Sequence, residues 1–135
     1  MLLLGPPGSG KSDLVLRLLD RGFMLVADDR VELDGTDAWA PESLAGLLEV
    51  RGLGILRLPF LPRSRLALAV ELGGEVTRLP GPARYVHADL PLVVVDASRP
   101  AAAQIVELAL DCAQGIHEQH VGAFVAQPRD PVART

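Results

Sequence analysis

A chain of 135 residues that is 49% apolar but only 4% aromatic has material for one core, built from Leu, Val, Ile and Ala. Its net charge of -4 lacks the basic footprint of a nucleic-acid binder and argues against docking on an anionic membrane. The single cysteine, Cys112, excludes an internal disulfide and any metal site made of paired cysteines. No apolar run reaches the roughly 18 residues of a membrane span, and "MLLLGPP" has neither the basic start nor the length of a signal peptide. A soluble, cytoplasmic domain covering residues 1–135 is expected.

In chain order, "MLLL" predicts a short buried strand that ends at Gly5. From Ser12, Leu14, Val15, Leu18 and Leu19 recur at helical spacing, and Gly22 is placed to stop that helix. "FMLVA", Phe23 to Ala27, predicts a second buried strand, "RVEL" a half-exposed one, and "DGTD" a turn. A short helix is expected between Pro41 and Leu48, then a glycine-interrupted strand over Glu49 to Leu58. "RLALAVEL", Arg65 to Leu72, alternates as a strand and turns at Gly73-Gly74. "LPLVVVDA" is a fully apolar strand, an amphipathic helix follows around Ala101 to Ala113, and the tail beyond Gln114 is expected to fray. The order predicts an α/β fold with a mixed sheet.

"GPPGSGKS", Gly5 to Ser12, fits G-x-x-x-x-G-K-[ST] between a predicted strand and a predicted helix, the context a phosphate-binding P-loop requires. Backbone N–H groups over Gly5, Pro6, Pro7, Gly8, Ser9 and Gly10 would form an anion nest, reinforced by the helix N-terminus. Proline lacks the donor, so Pro6 and Pro7 contribute shape rather than hydrogen bonds. Lys11 can reach the β- and γ-phosphates of a nucleoside triphosphate, and the Ser12 hydroxyl can ligate Mg²⁺.

Two adjacent acids, Asp28 and Asp29, close the second predicted strand. If that strand runs parallel to the first, its end lies on the same sheet edge as the phosphate loop. A carboxylate there can hold Mg²⁺ through water or accept a proton from an attacking hydroxyl. The plainer reading is a strand cap or a partner for Arg30. "LVVVD", Leu92 to Asp96, competes as a metal-holding strand, and periodicity does not choose between the two.

"GPPGSGKSDLVLRLLDRGFMLVADDRVEL" followed by "LLEVRGLGILRL" resembles the HPr serine kinase/phosphorylase family, and most of all its short, catalytic-domain-only form. "EVRGLGI", Glu49 to Ile55, is similar to that family's signature. The resemblance implies a P-loop kinase domain whose nucleotide site is like that of phosphoenolpyruvate carboxykinase. It implies ATP and Mg²⁺ as cofactors, an HPr-like phosphocarrier as partner, and a hexameric homo-oligomer. It implies Lys11 and Ser12 at the phosphates and Mg²⁺, Glu49 as a second metal ligand, and Asp29 as the base for the serine proton, while Asp28 stays a metal candidate by its position. Arg78 in "EVTRLPG" matches an active-site arginine; for Glu49 the plainer reading is an ion pair with Arg51.

Two departures from the family accompany the match. Its histidine-bearing strand ahead of the phosphate loop has no counterpart before Gly5, so the first strand and hairpin are expected to be missing. His87, His117 and His120 are expected on the surface. "SRPAAAQIVEL" offers Arg99 but then alanines where the family is Gly- and Arg-rich, so phosphorylase activity is expected to be weak or absent. The leading expectation is an ATP-dependent serine kinase acting on HPr or its nitrogen-branch counterpart. A kinase with another acceptor, and a non-catalytic nucleotide-sensing module, are the alternatives.

Overall fold

The computed structural model describes residues 1–28 and 30–125. A mixed sheet of four strands forms its centre, in the order β1-β7-β9-β8. Its members are β1 (Leu2–Leu4), β7 (Ala69–Leu72), β9 (Leu90–Val95) and β8 (Arg84–Tyr85). β1, β7 and β9 are parallel, with Leu2 opposite Ala69 and Ala69 opposite Leu92, and β8 is antiparallel to β9. The expected α/β class with a mixed sheet is what the chain adopts.

Period-2 alternation on these strands sorts the side chains into two cores. Leu68, Val70, Leu72, Val93 and Val95 turn to one face, where Leu14 and Leu18 of α1 (Lys11–Asp20) and Ala102, Ala103 and Val106 of α2 (Ala102–Ala113) cover them. Ala69 and Leu90 turn to the other face, with Leu2, Leu4 and Leu92 beside them. That face is closed by Ala38 and Leu66, with Val31 and Leu33 packed against them. Ala38 and Leu33 belong to a small antiparallel sheet, β2 (Glu32–Asp34), β3 (Asp37–Trp39) and β6 (Arg63–Arg65). The layers are therefore helices, parallel sheet, small sheet.

The helices predicted after the phosphate loop and after "LPLVVVDA" form close to where the spacing places them. Gly22, at φ 93°, donates to the Leu19 carbonyl and ends α1. "DGTD" is the β2–β3 turn, with Gly35 at φ 59°.

Other expectations are corrected. Phe23 to Ala27 is no strand; it makes one parallel bridge, Leu25 to Phe60, and does not pair with β1. Met24 is 49% exposed, incompatible with a central strand, whereas Ala69, Val70 and Leu72 of β7 are all buried and take that place. The helix expected over Pro41 to Leu48 is a single 3₁₀ turn at Glu42–Leu44, halted by Gly46 at φ 74°. The single strand expected over Glu49 to Leu58 is a hairpin of β4 (Leu47–Val50) and β5 (Gly54–Arg57), turned by Gly52 at φ 87°. The stretch expected to run unbroken from Arg65 to Leu72 divides between the end of β6 and β7. His87, His117 and His120 are exposed as expected. Residues 126–135, the end of the tail, lie outside the described residues. Among the described residues no helix is long and apolar enough to cross a membrane.

Leu14 is fully buried between α1 and the sheet. Leu14→Ala is expected to lower unfolding free energy by about 2–5 kcal/mol, the range for truncating a packed leucine, as read from urea denaturation.

Candidate functional site

β1 ends at Leu4, and the chain turns through Gly5 to Gly10 before α1 begins at Lys11. Gly8 at φ 82° and Gly10 at φ 85° hold left-handed backbone that a side chain would strain. The Ser9 amide donates to the Pro6 carbonyl at 3.1 Å, which folds the loop back on itself. Gly10 caps α1 with no side-chain bond. The Leu14 amide, bonded to the Gly10 carbonyl at 3.0 Å, is the first of the α1 series. The N–H groups at the head of the helix thus have no acceptor within it and are available to an anion. The Ser9 hydroxyl is shielded from solvent and has no hydrogen-bond partner among the described residues.

Contacts with the far end of the sheet hold this loop in place. A Cβ at Gly5 would come to 3.2 Å of Leu72 Cβ, and one at Gly10 to 3.1 Å of Ala97 Cβ. Arg17 of α1 donates to the Ala97 carbonyl at 2.6 Å and to the Arg99 carbonyl at 3.2 Å. These two bonds tie the helix to the turn after β9. The sequence reading missed this role for Arg17, because nothing local marks an arginine whose partners lie 80 and 82 residues away.

The two faces of α1 look onto different surroundings. Lys11, Val15, Leu18 and Leu19 stand about one helical face apart from Asp13, Leu16 and Arg17. On the first face lies a mostly apolar cavity of about 150 Å³, bordered by Lys11, Phe23, Val26 and Asp28. On the second, an open cleft joins Gly8, Ser9 and Gly10 with Asp13, Gly73, Asp96 and Ser98. Lys11 therefore shares a cavity with Asp28 and not with Asp96.

Asp28 borders the Lys11 cavity, but its segment does not take the place expected of it. Its segment is not paired to β1; it is fastened by the Leu61 amide donating to the Leu25 carbonyl at 2.8 Å. The half-buried Asp28 carboxylate accepts the Glu49 backbone amide at 3.3 Å. That bond sets the β4 backbone at Glu49 beside Asp28. Among the described residues Arg30 pairs with Glu32 at 3.1 Å rather than with Asp28, and no ion pair joins Glu49 to Arg51. Asp29 lies outside the described residues. Arg78 is exposed in the stretch after β7, with no hydrogen bond or ion pair to any described residue of the loop. Among the described residues no three acids, histidines or cysteines cluster as a preformed metal cage.

Asp96 makes its own small structure. Its Oδ1 accepts the Ser98 hydroxyl at 2.7 Å and the Ser98 amide at 3.0 Å. These bonds hold its carboxyl below the usual aspartate range, with Arg99 assisting against some desolvation.

Comparison with known proteins adds what geometry alone does not. Residues 1–61 match the family model described as HPr Serine kinase C-terminal domain. That match and the relatives below support the HPr kinase/phosphorylase family for this chain. An HPr kinase/phosphorylase of Xylella fastidiosa (strain M12) is 42% identical over 97 residues, which is 63% of this chain and 30% of that protein. The HPr kinase/phosphorylase of Xanthomonas campestris pv. campestris (strain B100) is 52% identical over 63 residues, 43% of this chain and 20% of that one. The matched region is thus less than a third of either relative. Among solved structures, the Hpr(Ser) kinase/phosphatase from Coxiella burnetii superposes with a TM-score of 0.64 at 18% identity, over 84% of this chain and 87% of that one. At that identity the superposition speaks for the fold.

The Asp96 turn is open to a direct test. A depressed folded pKa means that its stabilisation is present above the unfolded value and is lost as pH falls through the folded one. In Ser98→Ala the Asp96 midpoint, followed by carboxyl NMR titration, is expected to move up toward the ordinary aspartate range.

Proposed function

We propose that this chain is the catalytic domain of an ATP-dependent serine kinase acting on HPr or its nitrogen-branch counterpart, with weak or no phosphorylase activity. The observation that carries the reading is the cavity shared by Lys11, directly after a loop of left-handed glycines, and Asp28, whose carboxylate accepts the Glu49 amide. The family match supplies the acceptor, since the relatives are named for HPr.

The residues fit a P-loop with a nucleotide site like that of phosphoenolpyruvate carboxykinase, in one domain over 1–135. Free N–H groups at the loop and helix head suit phosphate oxygens, and the unpartnered Ser9 hydroxyl suits one more. Lys11 places a positive charge where the β- and γ-phosphates would lie. Ser12, Asp28 and Glu49 would hold Mg²⁺; that ion keeps several waters and needs only one or two carboxylates beside the phosphates, so a preformed cage is not required. When bound, the metal would neutralise charge on the phosphate oxygens.

Asp29 follows Asp28 directly and serves as general base. It takes the proton of the acceptor serine as the serine oxygen bonds to the γ-phosphorus. The bond from that phosphorus to the β–γ bridging oxygen breaks, and ADP leaves. Arg78 is assigned to the site by resemblance alone. A cytoplasmic homo-oligomer, hexameric as the family resemblance implies, completes the proposal.

Intact-mass analysis of HPr after incubation with Mg-ATP tests the reading: one added phosphoryl group on serine is expected. Nucleotide binding without transfer to HPr would overturn it in favour of another acceptor or a sensing role. Lys11→Ala is expected to abolish turnover. Asp29→Asn is expected to keep ATP binding and lose transfer by on the order of 10²–10⁴-fold, the usual contribution of a general base. Full transfer in Asp29→Asn would remove that assignment.

A further inference from the structure

The β4–β5 hairpin carries more than Glu49. Glu49 stands opposite Ile55 and Leu47 opposite Arg57 in the ladder, so these four side chains share one face. Leu48 and Leu56 take the other face; Leu48 is buried and Leu56 half-buried. On the Glu49 face Ile55 is 70% exposed, and Leu53 in the adjoining turn is 71% exposed. Neither belongs to either core. Arg51 and Arg57 are exposed on either side and pair with no carboxylate among the described residues.

Single bare aliphatic residues are ordinary on a protein surface, but two together beside a carboxylate of the candidate site are not explained by folding. We propose that this hairpin face, Leu53 and Ile55 framed by Arg51 and Arg57, is the docking surface for the acceptor. The occupant is a folded protein presenting an apolar patch edged with carboxylates. This inference rests on the kinase reading and gives its protein acceptor a place to dock.

Charge and position both argue for that occupant. The chain as a whole carries a net charge of -4, yet it sets two arginines around this apolar pair. A local positive rim on an acidic protein selects an acidic partner edge and repels a wrong one. Ile55 is the direct cross-strand neighbour of Glu49, whose amide is held by Asp28. A partner seated on Ile55 therefore lies against the carboxylates that the kinase reading places at the phosphates. A small-molecule acceptor would be enclosed in a cleft and would gain nothing from aliphatic side chains standing outside it.

The test is calorimetric titration of HPr into the ATP-loaded full chain, with Leu53→Ser/Ile55→Ser and Arg57→Glu compared to the unaltered protein. Both variants are expected to bind HPr weaker by about tenfold or more, as for apolar and charged anchors of an interface. ATP affinity and circular dichroism are expected to stay unchanged, because these side chains lie outside both cores. Unaltered HPr binding in the double variant overturns the docking surface, while continued phosphoryl transfer would leave the kinase reading standing. Absence of HPr binding to the unaltered chain also overturns it, and ATP binding in the same experiment shows whether the nucleotide half of the reading survives. A double variant that changes oligomeric state by light scattering but still binds HPr assigns the face to a second copy, again overturning the proposal. Should the double variant fold poorly, Arg57→Glu decides alone.

Discussion

The whole arrangement depends on one strand being buried on both faces. β7 lies between β1 and β9, with Val70 and Leu72 under the helices and Ala69 against the small sheet. Ala69, Val70 and Leu72 are buried on its two faces, as a central parallel strand requires, and only Glu71 is exposed. Ala69 is small enough for the second layer to close down on the sheet, and Leu72 sets the point where the glycine-rich loop must leave β1. Loop and helix α1 are both hung from this strand.

The site then follows from how α1 divides space. One helical face is buried against the sheet and the cavity; the other opens to the cleft. Lys11 falls on the cavity side with Asp28, and Asp96 falls on the cleft side. Two carboxylates that looked interchangeable in the sequence are thereby given different company. Asp28 is bonded to the hairpin backbone, while Asp96 spends its oxygens on Ser98 in a local turn. That difference, rather than either acid's neighbours in sequence, is why only Asp28 enters the proposed metal set.

Local signals were legible in the sequence, and non-local ones were not. Strand-loop-helix at "MLLLGPPGSGKS" needs only apolar patterning and glycine placement, and it formed as the residues indicate. "LPLVVVDA" and the helix after it were equally plain. The failure over "FMLVA" has a physical cause: a short apolar run looks like a buried strand whether or not a partner reaches it. The strand that did reach β1 begins at Ala69, and only burial on both faces distinguishes it. "EVRGLGILRL" was misjudged for a related reason. Its glycines were correctly noted, but they turn the chain rather than bulge it, and that decides which side Glu49 and Ile55 share. The parallel pairing expected to carry Asp28 is absent, and its carboxylate instead accepts the hairpin amide of Glu49.

The order of the strands also says something about how the molecule comes into being. β1 finds its partner at Ala69–Leu72, and the loop that follows rests against Ala97 and is tied down through Arg17 to carbonyls at Ala97 and Arg99. Such contacts close long stretches of chain, which makes them late and slow to form. The stretch that carries the family match, residues 1–61, ends before any of these partners. A phosphate-binding loop whose helix is tied to carbonyls 80 and 82 residues further along is competent only once the rest of the sheet has closed, so its competence reports that closure.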